Sequence, residues 1–338
     1  MKSGGVAFKA RRGAGQAPLR IGVGLLILLS GLGLLALGGL FSRTLDLLTH
    51  ATPLFGLAGL VLCGLSLARA PRAWVRASLG AASAVASLWL VWPELSAGRE
   101  TTTPGAPTVT VLTQNLWASN SRPSETAAAI AAANADIVVL QEVRGRSFGV
   151  AAQLSSAYPY RANCAEKSEW CYMAILSRRP IKAWSYHVAD WLPPNYDRLG
   201  LVRATIDGGT AGVFEVIGTH LIHPDPKGAG EEQAAQTVAA IADADPRRAI
   251  FVGDFNRVPW SFAMRKIDRG TALVRRTHGL ATWPRRLPLA DGGVAFPVPF
   301  LAIDQVFAGS SWKVSSIRRV SAGGSDHYGV LTTLVMGP

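Results

Sequence analysis

The hydrophobic pattern divides the chain into two parts. From Ile21 to Phe41 no charge interrupts a run rich in Leu and Gly, long enough to cross a bilayer as one helix. Two further apolar runs follow at about 52–68 and 74–92. The last has Arg76 near its start and Trp74, Trp89 and Trp92 near its ends, where indoles favour a membrane interface. After Pro107 the pattern changes to short strand-length apolar stretches alternating with Ala-rich segments. Val109 to Leu116 alternates as a strand, and Ile137 to Leu140 is apolar throughout, as in a strand covered on both faces. Further strands are predicted at 174–177, 201–206, 214–218, 249–252, 303–308 and 329–335. Helices are predicted at 124–133, with Ser124 as N-cap, at about 230–242 and at about 261–266.

This alternation predicts an α/β fold, a layered sandwich preceded by three transmembrane helices. The layout is a basic tail (1–20), three spans (about 21–41, 52–68 and 74–92), a linker (93–107) and a domain from 108 to 338. A cleaved signal peptide fits poorly, because the first apolar run exceeds an h-region and two more follow. A buried hairpin in a soluble protein is the plainer alternative.

Charge adds a topology. The formal net charge is +12, of which residues 1–100 carry +7 and the remainder +5. Lys2, Lys9, Arg11, Arg12 and Arg20 precede the first span, and Arg69 and Arg72 lie between the second and third. Positive-inside then predicts a cytoplasmic N-terminus and an extracytoplasmic domain in a multi-pass cell-membrane protein. The basic balance is therefore a topology signal and no argument for nucleic-acid binding. Cys164 and Cys171 flank a short polar loop. A disulfide between them suits an oxidising exterior, and two unrelated thiols are the alternative.

Several apolar runs end on residues suited to metal or phosphate chemistry: Asn115, Glu142, His220, Gly253-Asp254-Phe255-Asn256 and Ser325-Asp326-His327, with Asp304 opening another run. A carboxylate ending an apolar strand is costly unless it binds a cation or a donor. A histidine acting as acid or base needs a carboxylate to fix its tautomer, and Asp304 is the candidate partner of His327. Asp254 and Asn256, two apart after a buried strand, are expected to project to one side. Each piece alone could be an ordinary turn or cap.

Taken in order, these residues resemble the endonuclease/exonuclease/phosphatase superfamily, over roughly residues 108–336. The resemblance implies a four-layer α/β sandwich of two central β-sheets flanked by helices, and Mg²⁺-dependent phosphoester cleavage, with Mn²⁺ as the alternative ion. It further implies that Glu142 is the main metal ligand, with Asn115 assisting and Asp326 helping. Asp254 would orient or deprotonate water, Asn256 would contact phosphate or the metal, His220 and His327 would stabilise the phosphoryl group, and Asp304 would orient His327. Trp117 departs from the pattern, standing where many family nucleases carry a second acid or amide.

The chain also resembles a membrane-anchored bacterial branch, for which a lipid-linked substrate such as a polyprenyl pyrophosphate is expected. The phosphoester could be a monoester, a diester or a pyrophosphate. A tethered nuclease acting on extracytoplasmic nucleic acid is the main alternative, and a non-catalytic binding module the second; no protein partner is evident. Arg275, Arg276, Arg285 and Arg286, beside Trp283, Phe296 and Phe300, could grip an anionic head group or form a solvated rim.

Overall fold

Every stretch predicted as a strand beyond residue 107 forms one in the computed structural model, which describes residues 16–69, 73–98, 100–188, 200–226, 228–287, 289 and 293–337. The basic tail up to Arg12, and Arg72, lie outside the described residues. Contacts divide the chain into two units, one of Met1–Pro93 with Trp260–Phe262, the other of Glu94–Pro259 with Ala263–Pro338.

The first unit contains α1 (Gln16–Leu35), α2 (Thr52–Arg69) and, as far as Pro93, α3 (Trp74–Ser96). Three helical stretches, Arg20–Leu40, Arg43–Ala68 and Trp74–Ser96, are long and apolar enough to cross a membrane. The second starts nine residues ahead of the predicted run, because one α-turn (Arg43–Asp46) and a 3-10 turn (Leu47–Ala51) lead into α2. Small residues let α2 and α3 touch: a Cβ at Gly59 would lie 2.5 Å from the Gly80 carbonyl, the close backbone approach that membrane helices use. Large apolar side chains such as Leu25, Leu57, Leu60 and Val85 remain outward-facing.

The second unit is built on two six-stranded sheets. In chain order the strands are β1 (Thr108–Asn115), β2 (Ile137–Gln141), β3 (Tyr160–Asn163), β4 (Met173–Ser177), β5 (Ile181–Val188), β6 (Gly200–Asp207), β7 (Val213–His220) and β8 (Ile250–Asp254). They continue as β9 (Val274–Arg275), β10 (Arg286–Leu287), β11 (Val294–Ala295), β12 (Asp304–Ala308), β13 (Trp312–Val320) and β14 (Gly329–Met336). The first sheet runs β13-β14-β1-β2-β4-β3 and the second β5-β6-β7-β8-β12-β9, while β10 and β11 form a separate hairpin. Between the sheets lies a core of Val111, Ile137, Val139 and Ile175 facing Val202, Val216, Val252 and Val306. The alternate residues Val138 and Leu140 pack outward with Ala127 and Ile130 of α4 (Pro123–Ala133). On the far side, Ile217 and Phe251 pack with Ala234 of α5 (Ala229–Ala240) and Met264 and Ile267 of α6 (Phe262–Gly270). The result is the four-layer sandwich, and it explains why β2 and β8 are apolar on both faces.

Two local expectations change. Ser124 is not the cap of α4: the N-cap is Arg122, and Pro123 occupies the first helical position, where its missing N–H has no intrahelical partner to lose. Strands β3, β5 and β13, and the two-residue strands β9, β10 and β11, were not predicted. β5 and β13 each expose most of one face, which dilutes the apolar signal of an edge strand.

Candidate active site

Strand register brings the chemistry together. In the second sheet His220 pairs with Asp254 across β7 and β8, and Asp254 pairs with Asp304 across β8 and β12. In the first sheet Asn115 pairs with Gln141, which places Glu142 one residue beyond the end of β2. The Asn115 amide joins the two sheets, donating from Nδ2 to Glu142 Oε1 (3.0 Å) and to Asp254 Oδ2 (3.0 Å). Its own Oδ1 is held by the Trp117 N–H at 2.9 Å, while the Ala118 N–H donates to Glu142 Oε2 at 2.7 Å.

Around this bridge stand the two histidines. His220 Nε2 lies 3.9 Å from Glu142 Oε1, 3.7 Å from Asp254 Oδ2 and 3.3 Å from Asn256 Nδ2. His327 Nε2 lies 3.7 Å from Asp254 Oδ2, and its Nδ1 is 2.9 Å from Asp304 Oδ2. Thr282 Oγ1 donates to the same Asp304 oxygen at 2.5 Å. Ser325 fixes the approach of His327, donating to the Asn115 carbonyl (2.7 Å) and accepting from the His327 N–H (3.0 Å). Asp326 lies at the rim, with Oδ2 accepting from Trp283 Nε1 at 3.1 Å. All eight residues singled out in the sequence thus belong to one neighbourhood at the ends of five strands and the loop before β14. Thr282 was not singled out, since a lone Thr in a loop carries no pattern that would reveal it; Trp283 was expected beside a head-group site and instead holds Asp326, and Ser325, quoted with Asp326 and His327, orients His327.

The backbone is bent to make the site. Four non-glycine residues adopt positive φ among the described residues, and three are here: Trp117 (61°), Glu142 (55°) and Asn256 (52°). Such conformations cost free energy and persist where surrounding contacts fix them. Asn256 is therefore not in line with β8. The Asp254 side chain accepts from the Asn256 N–H at 2.8 Å and turns the chain, and Asn256 Nδ2 reaches the Leu221 carbonyl at 2.7 Å. Gly253 is required for a plainer reason: a Cβ there would sit 1.9 Å from the Thr219 carbonyl oxygen.

Electrostatics sets the two histidines apart. Burial, with His223, His327 and Arg144 nearby, holds His220 below its ordinary value against the pull of Glu142. Burial opposes charge on His327 as well, but Asp304, Asp254 and Asp326 outweigh it and raise its pKa well above the ordinary value. Burial pushes Asp254 up to about 7, with Asp304 adding to the rise against His327. Glu142 goes the other way: against burial, His220, the Ala118 N–H and Asn115 lower its pKa. Groups with divergent pKa values side by side are what acid–base chemistry needs.

A divalent cation fits the donors present. Among the described residues Asp304 Oδ1 and Asp326 Oδ1 are buried without a hydrogen-bond partner, and burial, with Glu142 adding to it, raises the pKa of Asp326, so anionic oxygens crowd here without enough donors. Hard oxygen donors of this kind suit Mg²⁺. Asp254, Asp304 and His327 also offer atoms within 4.8 Å of one another, although His327 Nδ1 is engaged by Asp304. The arginines proposed to grip a head group are largely tied within the domain: Arg275 pairs with Glu94 (2.7 Å) and Asp268 (3.1 Å), Arg276 with Glu100, and Arg285 donates to the Ser325 carbonyl.

The pattern of the Endonuclease/Exonuclease/phosphatase family matches residues 112–327, a span that contains all eight site residues. The chain belongs to this family. Its members are phosphoester hydrolases that depend on divalent metal. Among solved structures the chain is similar to sphingomyelinase C from Streptomyces griseocarneus (19% identity, TM-score 0.52, covering 67% of this chain and 99% of that one). It is similar to beta toxin from Staphylococcus aureus, in a mutant form with bound magnesium ions (17%, 0.51, 68% and 99%). TDP2 from D. rerio, complexed with a single-strand DNA product, matches comparably (16%, 0.52, 67% and 98%). At these identities the likeness speaks for the fold. No curated protein matches the chain.

Proposed function

We propose that this protein is a membrane-anchored, Mg²⁺-dependent phosphoesterase acting on a lipid-linked phosphate ester at the outer face of the membrane. The observation that carries the chemistry is the meeting of Glu142, Asp254, His220 and the Asp304–His327 pair around one amide, Asn115.

Glu142, with Asn115 and Asp326, would hold the cation, which supplies charge stabilisation to a phosphoryl oxygen when bound. Asp254, raised toward neutrality by burial, takes a proton from the attacking water. His327 keeps its proton through Asp304 and donates to a phosphoryl or departing oxygen. His220 and Asn256 add donors where negative charge grows. The anchor rests on the three apolar helices and on the outward-facing leucines of the first unit; the outer-face placement rests on the positive-inside reading. The fold shared with sphingomyelinase C agrees with a lipid substrate, and that shared with TDP2 keeps nucleic acid as the second reading.

The test is hydrolysis by the full chain in nanodiscs, with Mg²⁺ or EDTA, of a polyprenyl diphosphate, sphingomyelin and plasmid DNA. Metal-dependent turnover of a lipid phosphate ester is expected. Cleavage of DNA alone would replace the lipid reading, and a reporter at Pro338 active only in the cytoplasm would reverse the topology.

A further inference from the structure

The three apolar helices are not packed evenly along their length. Toward the middle they touch: a Cβ at Gly33 of α1 would lie 2.5 Å from Ser83 Oγ of α3 and 2.9 Å from Phe55 Cβ of α2. Gly59 and Gly80 bring α2 and α3 together in the same way. Earlier on α1 the glycines serve no such contact, and a Cβ at Gly22 or Gly24 would meet nothing within 4 Å. Gly24 opens instead on a cavity of about 360 Å³, walled by Val23 and Ile27 of α1 and by Leu62 and Leu65 of α2. That volume lies in the range of sites that hold a small ligand.

The walls are apolar and one end is basic. Arg20, Ser66 and Arg76 close that end, where α1 begins, α2 ends and α3 begins. Arg76 lies in the first turn of α3, just inside the exposed Trp74. It is itself exposed, and no carboxylate among the described residues pairs with it. An arginine at the edge of the hydrocarbon layer is costly without an anionic partner or a route to the head groups. The positive end of the α3 macrodipole favours an anion at the same place. Arg20 already makes other interactions and is counted here for its charge alone.

We infer that this cavity binds one anionic phospholipid from the leaflet on that side, its phosphate meeting Arg76 and its glycerol and the start of an acyl chain filling the space between α1 and α2. On the positive-inside reading this is the cytoplasmic leaflet. A guanidinium forks onto phosphate oxygens, and basic pockets between membrane helices recognise anionic head groups. A zwitterionic lipid brings a cation along with its phosphate, which Arg76 repels. A free phosphate leaves Val23, Ile27, Leu62 and Leu65 with nothing to cover. The inference rests on the three helices lying in a bilayer and is independent of the chemistry at Glu142 and His327.

The experiment is native mass spectrometry of the full chain, released from micelles holding equal amounts of phosphatidylglycerol and phosphatidylcholine with matched chains. One phosphatidylglycerol should be retained, in preference to phosphatidylcholine by about fivefold or more. Arg76→Gln should remove most of that preference and Arg76→Lys less, since an ammonium keeps the charge and loses the fork. Gly24→Leu leaves every charge in place and fills the cavity, so it should lose the lipid. Gly22→Leu, on the same helix but outside the cavity, should bind as the unmutated chain does. Thermal melting shows whether Gly24→Leu has folded, and Ile27→Phe repeats the filling if it has not. Equal retention of the two lipids overturns the site, as does a preference unmoved by Arg76→Gln or by both filling variants. A dimer that excludes lipid and is lost in Gly24→Leu also overturns it, because the groove would then be a contact between helices of two copies. Release of the chain from membranes by alkaline carbonate would instead overturn the membrane anchor.

Discussion

The end of β7 and the loop before β14 deliver the same side chain to the same aspartate and make it behave in opposite ways. His220 and His327 each approach Asp254 Oδ2 at 3.7 Å. At β7 the imidazole is buried beside other cations and kept from charging. Before β14 it carries a carboxylate on its other nitrogen and is driven to charge. Identity of residue and distance to a common neighbour therefore do not fix a role. The group behind the ring fixes it, and here that group is Asp304, held at the end of β12 by its pairing with Asp254.

The comparison can be broken most severely at that carboxylate. Asp304→Asn keeps the shape and removes the charge, so His327 should lose its raised pKa and the wrong tautomer can form. We expect kcat to fall about 10³-fold, with the alkaline limb of the pH–rate profile moved to lower pH. A similar loss without that movement would assign Asp304 a structural role only. Next, Glu142→Gln should raise the Mg²⁺ concentration for half-maximal activity by about 10²-fold, by analogy with losses from weakened metal sites, and isothermal titration with Mg²⁺ reads this directly. On the other side of the comparison, Asp254 works as a carboxylate and its pKa is raised to about 7. The rate should therefore rise with pH through neutrality and, on the acid side, fall about tenfold per pH unit; a flat profile between pH 5 and 7 would remove Asp254 as the base. The smallest effect is expected of Thr282→Val, which deletes one hydrogen bond to Asp304 Oδ2. A loss of about 1 kcal/mol, or roughly fivefold in rate, would sharpen the role of Asp304, and no change would confine its orientation to His327 and the strand.

Much of this was legible before any coordinates. The residues that matter end apolar strands, and a polar group in that position has few reasons to be there other than chemistry. For the same reason β2 and β8, covered on both faces, stood out, whereas the edge strands β5 and β13 did not. Asp254 and Asn256 illustrate the limit. Spacing of two suggested a shared side, yet the Asx turn and the positive φ at Asn256 bring it to His220 by a different path. A periodicity argument holds only while the chain stays in one conformation. Thr282, and the role though not the presence of Ser325, lay beyond reach for another reason: they exist only in contacts made across the folded domain, 22 residues and 210 residues away in sequence.

Those long separations have a practical result. Asn115 O meets the Ser325 hydroxyl, and Asn115 Nδ2 meets Asp254, 139 positions further along. No chain halted before Ser325 and His327 can own a complete centre. Turnover is consequently a readout of completed folding: the hydrolase stays silent throughout synthesis and acquires its chemistry last.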